Sequence, residues 1–160
     1  MVSAFFDESH IGEIHHSRER IITSGDVERF CGFSGDWFGT WAFAHMDREA
    51  GARQHFERDQ LHGTAIIGLS YGLQYLENPE VIIAAYGYDD IEHLRPMSVG
   101  DSMRYEFEVT GKEDRGDGTG TLKSETRIYN QRDELVLRFT TRSRTRTRAA
   151  WEEIERRGAE

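Results

Sequence analysis

The sequence holds one cysteine, Cys31, and two prolines, Pro79 and Pro96, among 160 residues. A single cysteine excludes an internal disulfide framework and fits a reducing compartment. So few prolines leave long stretches free to pair or coil, and both sit where elements should end. No apolar run approaches the roughly 20 residues that a bilayer-spanning helix needs. Positive charge is scarce: 20 Lys and Arg face 29 Asp and Glu, for a net charge of −9. That balance argues against non-specific binding to nucleic acid. The opening stretch, MVSAFFDESHIGEIHH, lacks the basic start and apolar middle of a signal peptide. There is no repeat, no low-complexity linker and no Gly-rich phosphate loop. The expectation is one globular domain over residues 1–160, a cytoplasmic enzyme or binding domain, long enough for a real core.

What is present falls into two halves of different period. The stretch ITSGDVERFCGF reads as a short helix with Thr23 as N-cap and Asp26 in its first turn, where negative charge helps. Val27 and Phe30 or Cys31 should face inward, with Gly32 and Gly35 available to stop the helix. HMDREAGARQHF begins a second helix with Asp47 as cap. From His62 to Leu76 the chain is apolar nearly all round, which predicts a buried helix. Gly68 and Gly72 lower its intrinsic propensity and imply a very close neighbour. The period then changes. VIIAAYGY is a continuous apolar run of strand length and predicts a central strand. MRYEFEV alternates, with Met103, Tyr105, Phe107 and Val109 on one face. DRGDGTG is a hairpin turn, and TLKSETRIYN and LVLRFTTRSRTRTR are further strands separated by the turn NQRDE. Residues 149–160 read as a short surface helix. Helices first and an antiparallel meander second make an α+β chain. Such a chain wraps an antiparallel sheet around a central buried helix, the hotdog fold.

Three features could carry chemistry. Asp36 and His45 stand nine positions apart with no charge between them. As a pair they could share one water, one group taking its proton and the other delivering a proton to substrate. Trp37, Phe38, Trp41 and Phe43 would then exclude bulk water and line the slot. The plainer alternative is a capping Asp in a turn and a His satisfied by backbone. In LHGTAII, Gly63 opens the apolar helix beside His62, and the first N–H groups of a helix lack internal acceptors. A carbonyl oxygen aimed there would be stabilised as it gains charge; the alternative is a Gly that merely starts a helix in tight quarters. In RFTTRSRTRTR, period two puts Arg138, Arg142, Arg144, Arg146 and Arg148 on one strand face. The opposite face carries Phe139, Thr141, Ser143, Thr145 and Thr147. The arginines, Arg142 and Arg144 above all, could hold phosphates, or they could form a solvated face that blunts edge pairing. His15 and His16 point to opposite faces of a strand and make a poor metal pair, and His10, His55 and His93 lack a partner at ligand spacing. Cys31 reads as a small core residue.

Four stretches together resemble the MaoC-like dehydratase family, which includes the R-specific enoyl-CoA hydratases. RIITSGDVERFCGFSGD is similar to the family's opening helix and its Ser-Gly-Asp. AHMD resembles the segment that starts at the catalytic His. LHG with the apolar helix resembles the His-Gly helix start, and YGYDDIEHLRPMSVGD the strand and loop that follow. The resemblance runs from about Gly12 to Arg144. It implies a hydro-lyase that interconverts an α,β-unsaturated acyl thioester and its 3-hydroxyacyl thioester. It further implies that Asp36 and His45 bind one water, that the Gly63 N–H receives the thioester oxygen, and that no metal or organic cofactor is needed. The substrate would be an acyl-CoA or an acyl carrier protein thioester, and the protein a homodimer or higher oligomer with sheets joined edge to edge. The family's Asn-Pro after the Asp is missing here, and the spacing to His45 is wider. Two other functions fit the same fold: an acyl-CoA thioesterase and a non-catalytic acyl-binding protein. The first usually needs a carboxylate on the central helix, and none occurs between Thr64 and Leu76.

Overall fold

The computed structural model describes residues 4–36, 59–74 and 78–158. Within them lie β1 (Ile14–His16), β2 (Arg20–Ile21), α1 (Ser24–Ser34) and α2 (Gly63–Gly72). A turn of 3-10 helix, Pro79–Val81, then leads into β3 (Ile82–His93), β4 (Ser102–Asp114), β5 (Thr119–Asn130), β6 (Leu135–Arg146) and α3 (Arg148–Gly158). The expected helix that starts at Asp47 lies outside the described residues.

The capping signal read at Thr23 is realised in full. Thr23 has extended backbone, and the buried Asp26 carboxylate accepts its N–H and its hydroxyl, each at 2.9 Å. Arg20 pairs with the same carboxylate at 2.7 Å. Burial opposes ionisation of Asp26, yet the Thr23 bonds and the Arg20 guanidinium together hold its carboxyl below the usual range. Gly32 stays inside the helix. Gly35 ends it in the left-handed region at φ 71°, its N–H bonded to the Cys31 carbonyl. Val27 and Cys31 are buried, as their spacing predicts.

The sheet is antiparallel, in the order β1–β4–β5–β6–β3, with β2 also paired to β4. β4, β5 and β6 form the predicted meander. Its first turn depends on glycine, since Gly116 and Gly118 hold φ of 72° and 78°. On the inner face the strands change chemistry along their length. Met103, Tyr105, Ile128, Leu137 and Phe139 pack with Val27 and Cys31 of α1 and Ala65 and Ile66 of α2 into one core. Each such side chain taken fully out of water contributes about 1.5–3 kcal/mol. Further along, the same face presents Thr126 and Ser124 from β5 beside Thr141, Ser143 and Thr145 from β6. The far end of the sheet is closed by the N-terminal segment. Phe5 and Ala4 pack on Val81, and the Phe6 ring lies so close to Gly120 that any Cβ there would come within 2.3 Å of it.

Three expectations are corrected. Among the described residues β3 is an edge strand rather than a central one: it pairs there with β6 alone, and Ile83, Tyr86, Tyr88 and Ile91 are all exposed. An unbroken apolar run says that both faces avoid water, but not which neighbours cover them. α2 is not apolar-buried on all sides. Its core flank is Ala65, Ile66 and Ser70, it stops at Gly72, and no heavy atom lies within 4 Å of a Cβ built on Gly68 or Gly72. The close neighbour that these glycines imply is therefore not among the described residues. Arg148 belongs to α3 rather than to the strand stripe, because β6 ends at Arg146.

Candidate active site

The start of α2 gathers the groups with chemical potential. Gly63 is its first residue, so its N–H has no acceptor within the helix and lies at the positive end of the dipole. His62 is the N-cap; its Nδ1 accepts the Thr64 N–H at 3.2 Å and sits 2.7 Å from the Thr64 hydroxyl. The His62 ring stacks on Phe30 of α1 at 4.9 Å between centroids, so α1 fixes the imidazole plane. Asp36 follows the Gly35 cap and is half-buried, and its N–H donates to the Ser34 hydroxyl at 3.2 Å. It stands close enough to act electrostatically on both His62 and Cys31. Burial holds the His62 pKa below the ordinary imidazole value; Asp36 opposes that shift and His93 adds to it. Burial pushes the Cys31 thiol up, with Asp36 adding to the effect, which fits an inert core cysteine.

His93 is the residue that sequence reasoning passed over. It ends β3, far from Gly63 in sequence, yet its ring lies directly against that glycine. A Cβ on Gly63 would come within 2.3 Å of its Cε1 and 2.6 Å of its Nδ1. Gly63 therefore has two roles, since it begins the helix and makes room for an imidazole. In the sequence His93 closes a strand whose second half already carries Asp89, Asp90 and Glu92, so nothing local points to its partner.

Asp36 lies within electrostatic reach of His62, which adjoins Gly63 at the start of α2. His45, Trp37, Phe38 and Trp41 lie outside the described residues. Arg142 and Arg144 project from the outer face of β6, and carboxylates already engage them: Arg142 pairs with Asp89 at 2.8 Å and Arg144 with Asp117 at 2.6 Å. Arg138 pairs with Glu92 at 2.9 Å. These contacts favour the solvated-face reading of the stripe.

A cavity of about 1150 Å³ opens beyond the other end of α2, between Tyr71–Gln74 and the inner face of β4, β5 and β6. Tyr71 stands at the boundary, its ring edge-on to Tyr88 at 6.3 Å between centroids; burial, with Tyr88 adding to it, raises its phenol pKa. Tyr105, on the same wall, is pushed up to about 12 by burial. Both phenols stay neutral donors.

Residues 6–128 match the family model described as MaoC like domain. The chain belongs to the MaoC-like family. Protein MaoC from Klebsiella aerogenes is 30% identical over 100 residues, which is 62% of this chain and 29% of that protein; the chain spans under a third of that relative. Among solved structures, the monoamine oxidase regulatory protein from Archaeoglobus fulgius superposes with a TM-score of 0.79 at 25% identity, covering 91% of this chain and 95% of the other. An (R)-hydratase from A. caviae involved in PHA biosynthesis superposes with a TM-score of 0.66 at 25% identity, covering 85% and 96%. The sheet and its central helix are those of the hotdog fold, and R-hydratases and hydroxyacyl-carrier dehydratases share this MaoC-like architecture. Among the described residues no helix is long and apolar enough to cross a membrane.

Proposed function

We propose that this MaoC-like chain is a hydratase/dehydratase that interconverts an α,β-unsaturated acyl-CoA and its 3-hydroxyacyl-CoA. The observation that carries the reading is the start of α2. There the Gly63 N–H, free of any intrahelical acceptor, shares its surroundings with Asp36 and two imidazoles. In the hydration direction Asp36 and His45 hold one water. The water oxygen bonds to the β-carbon as one of the pair takes its proton, and the other delivers a proton to the α-carbon. Negative charge passes through the thioester oxygen, which the Gly63 N–H receives; one such donor contributes roughly 3 kcal/mol to the transition state. The aromatics Trp37, Phe38 and Trp41 keep bulk water away from the pair, and His62 lines the slot. The similar structures support this reaction class, one of them being an (R)-hydratase. α2 itself carries no carboxylate from Gly63 to Gly72, which removes the usual water-activating group of a hotdog thioesterase. The working form in this reading is a cytoplasmic homodimer joined through the open edge of β3, without metal or organic cofactor.

The test is loss of the enoyl-thioester absorbance of crotonyl-CoA on hydration. Wild type should turn over and Asp36→Asn should lose activity while keeping its fold by circular dichroism. Unchanged turnover in that variant removes Asp36 from the mechanism. Release of free thiol in place of hydration would make the protein a thioesterase.

A further inference from the structure

His93 reaches the inner face of the sheet through a break in the pattern of β3. Asp89 lies on the outer face, where its carboxylate pairs with Arg142. Unbroken alternation would put His93, four residues on, on that same face. Between Asp89 and Glu92 the strand instead shifts register against β6, with Asp90 in the left-handed region at φ 55°. Glu92 therefore stands outside against Arg138, and His93 pairs with Leu137, a core residue of the inner face. A bulge of this kind re-aims the side chains that follow it, and a non-glycine residue at positive φ persists only where the surrounding structure holds it. The side chain so turned meets Gly63. The position that a Cβ would take there lies 2.3, 2.6 and 3.1 Å from Cε1, Nδ1 and Nε2 of His93. One C–C bond of about 1.5 Å separates that position from the Gly63 Cα, so the edge of the ring that carries both nitrogens lies within about 5 Å of the Cα. In a helix the Cα–Cβ bond tilts towards the N-terminus, and the free N–H groups of the first turn open the same way. The nitrogen-bearing edge thus borders the space in front of the Gly63 N–H. His93 is exposed rather than sunk in the core, and among the described residues its side chain has no hydrogen bond or ion pair.

We propose that His93 is a second donor to the thioester oxygen, hydrogen-bonding it alongside the Gly63 N–H. The inference rests on the hydratase reading, in which that oxygen lies at Gly63. An imidazole carries at least one N–H in either protonation state, so a donor is always present. The two donors come from different elements, the backbone of α2 and a side chain of β3, and both are in place before charge develops. Fixed dipoles of this kind stabilise the enolate oxygen more than the neutral carbonyl, so their effect falls on kcat rather than on KM. Water reaches the exposed ring, which keeps its share below the roughly hundredfold of a buried oxyanion donor.

Two substitutions in the full chain separate donation from packing. His93→Phe keeps a ring against Gly63 and removes the donor, whereas His93→Gln keeps a donor. With crotonyl-CoA, His93→Phe should lose about tenfold in kcat with KM changed less than about twofold, and His93→Gln should recover part of that loss. The contact itself is read from the infrared stretch of an isotopically labelled thioester carbonyl in butyryl-CoA, a saturated ligand that cannot be hydrated. Hydrogen bonds to that oxygen lower its frequency. His93→Phe should reverse part of the shift seen on wild type, and His93→Gln should reverse less of it. Equal carbonyl frequencies on wild type and His93→Phe, no bound-state shift on wild type, or equal kcat losses in the two variants would each overturn the proposal. Failure of the wild type to hydrate crotonyl-CoA would refute the hydratase reading, and the carbonyl frequency alone would then decide whether His93 donates to a bound thioester.

Discussion

Gly63 shows how much can rest on a missing side chain. Its Cα faces the His93 ring so closely that Gly63→Ala must push the imidazole aside, because a Cβ would sit 2.3 Å from Cε1. A displacement of about 1 Å near reacting groups can lower a rate by a hundredfold, so Gly63→Ala should reduce kcat/KM for crotonyl-CoA hydration to that degree. Adding His93→Ala to the same chain removes the clash and should restore part of the loss. If the double variant is no better than Gly63→Ala alone, crowding by His93 is not the cause. The start of this helix was legible in sequence, because a His-Gly step before an apolar run marks a boundary. The His93 contact was not, because it joins a helix start to the end of a strand through tertiary packing.

At the scale of elements, α1 is held mainly by its first turn. Asp26→Ala deletes the two Thr23 bonds and leaves the Arg20 guanidinium without this partner, and should cost about 2 kcal/mol in chemical denaturation. A loss well below that would mean the core contacts of Val27 and Cys31 carry the helix alone. α1 could be read from sequence because its signals are local: a cap, an acid three residues on, a glycine at the end. The β4–β5–β6 meander was readable for the same reason, through alternation and Gly-rich turns. β3 was misplaced because an apolar run reports avoidance of water, while edge or centre is decided by pairing partners distant in sequence. The hydroxyl row on β6 was visible as the other face of the arginine stripe. That this row lies in the wall of a cavity became visible only in the fold.

At the scale of the molecule, among the described residues β3 leaves one sheet edge unpaired and several apolar side chains exposed, an arrangement that natural sheets seldom leave uncovered. In solution the 18.5 kDa chain should sediment at about twice its mass. Ile83→Lys with Ile91→Lys should shift it towards monomer; a double variant that stays dimeric places the contact elsewhere. Acid should weaken the fold in two steps. His15 and His62 are held below the ordinary value of 6.5, largely by burial, so the unfolded chain takes up their protons more readily. Their stability contribution is full above pH 6.5 and is lost as pH falls through the lower folded values. Asp26 is also depressed, from 3.8, so its contribution is full above that pH and fades as pH falls through its folded value. Melting temperatures across a pH series should fall in those two ranges, and Asp26→Ala should flatten the lower one.

The inner face of the sheet is oily over one half and carries Ser124, Thr126, Thr141, Ser143 and Thr145 over the other. Unfolding exposes both halves, and they act with opposite sign on the heat capacity: hydrated apolar surface raises it and hydrated polar surface lowers it. A calorimetric scan of this domain should therefore yield an increment per residue below the roughly 12–15 cal/mol/K usual for globular chains. The stability curve would then be flatter, and its tolerance of both warm and cold broader, than the length of the chain alone suggests.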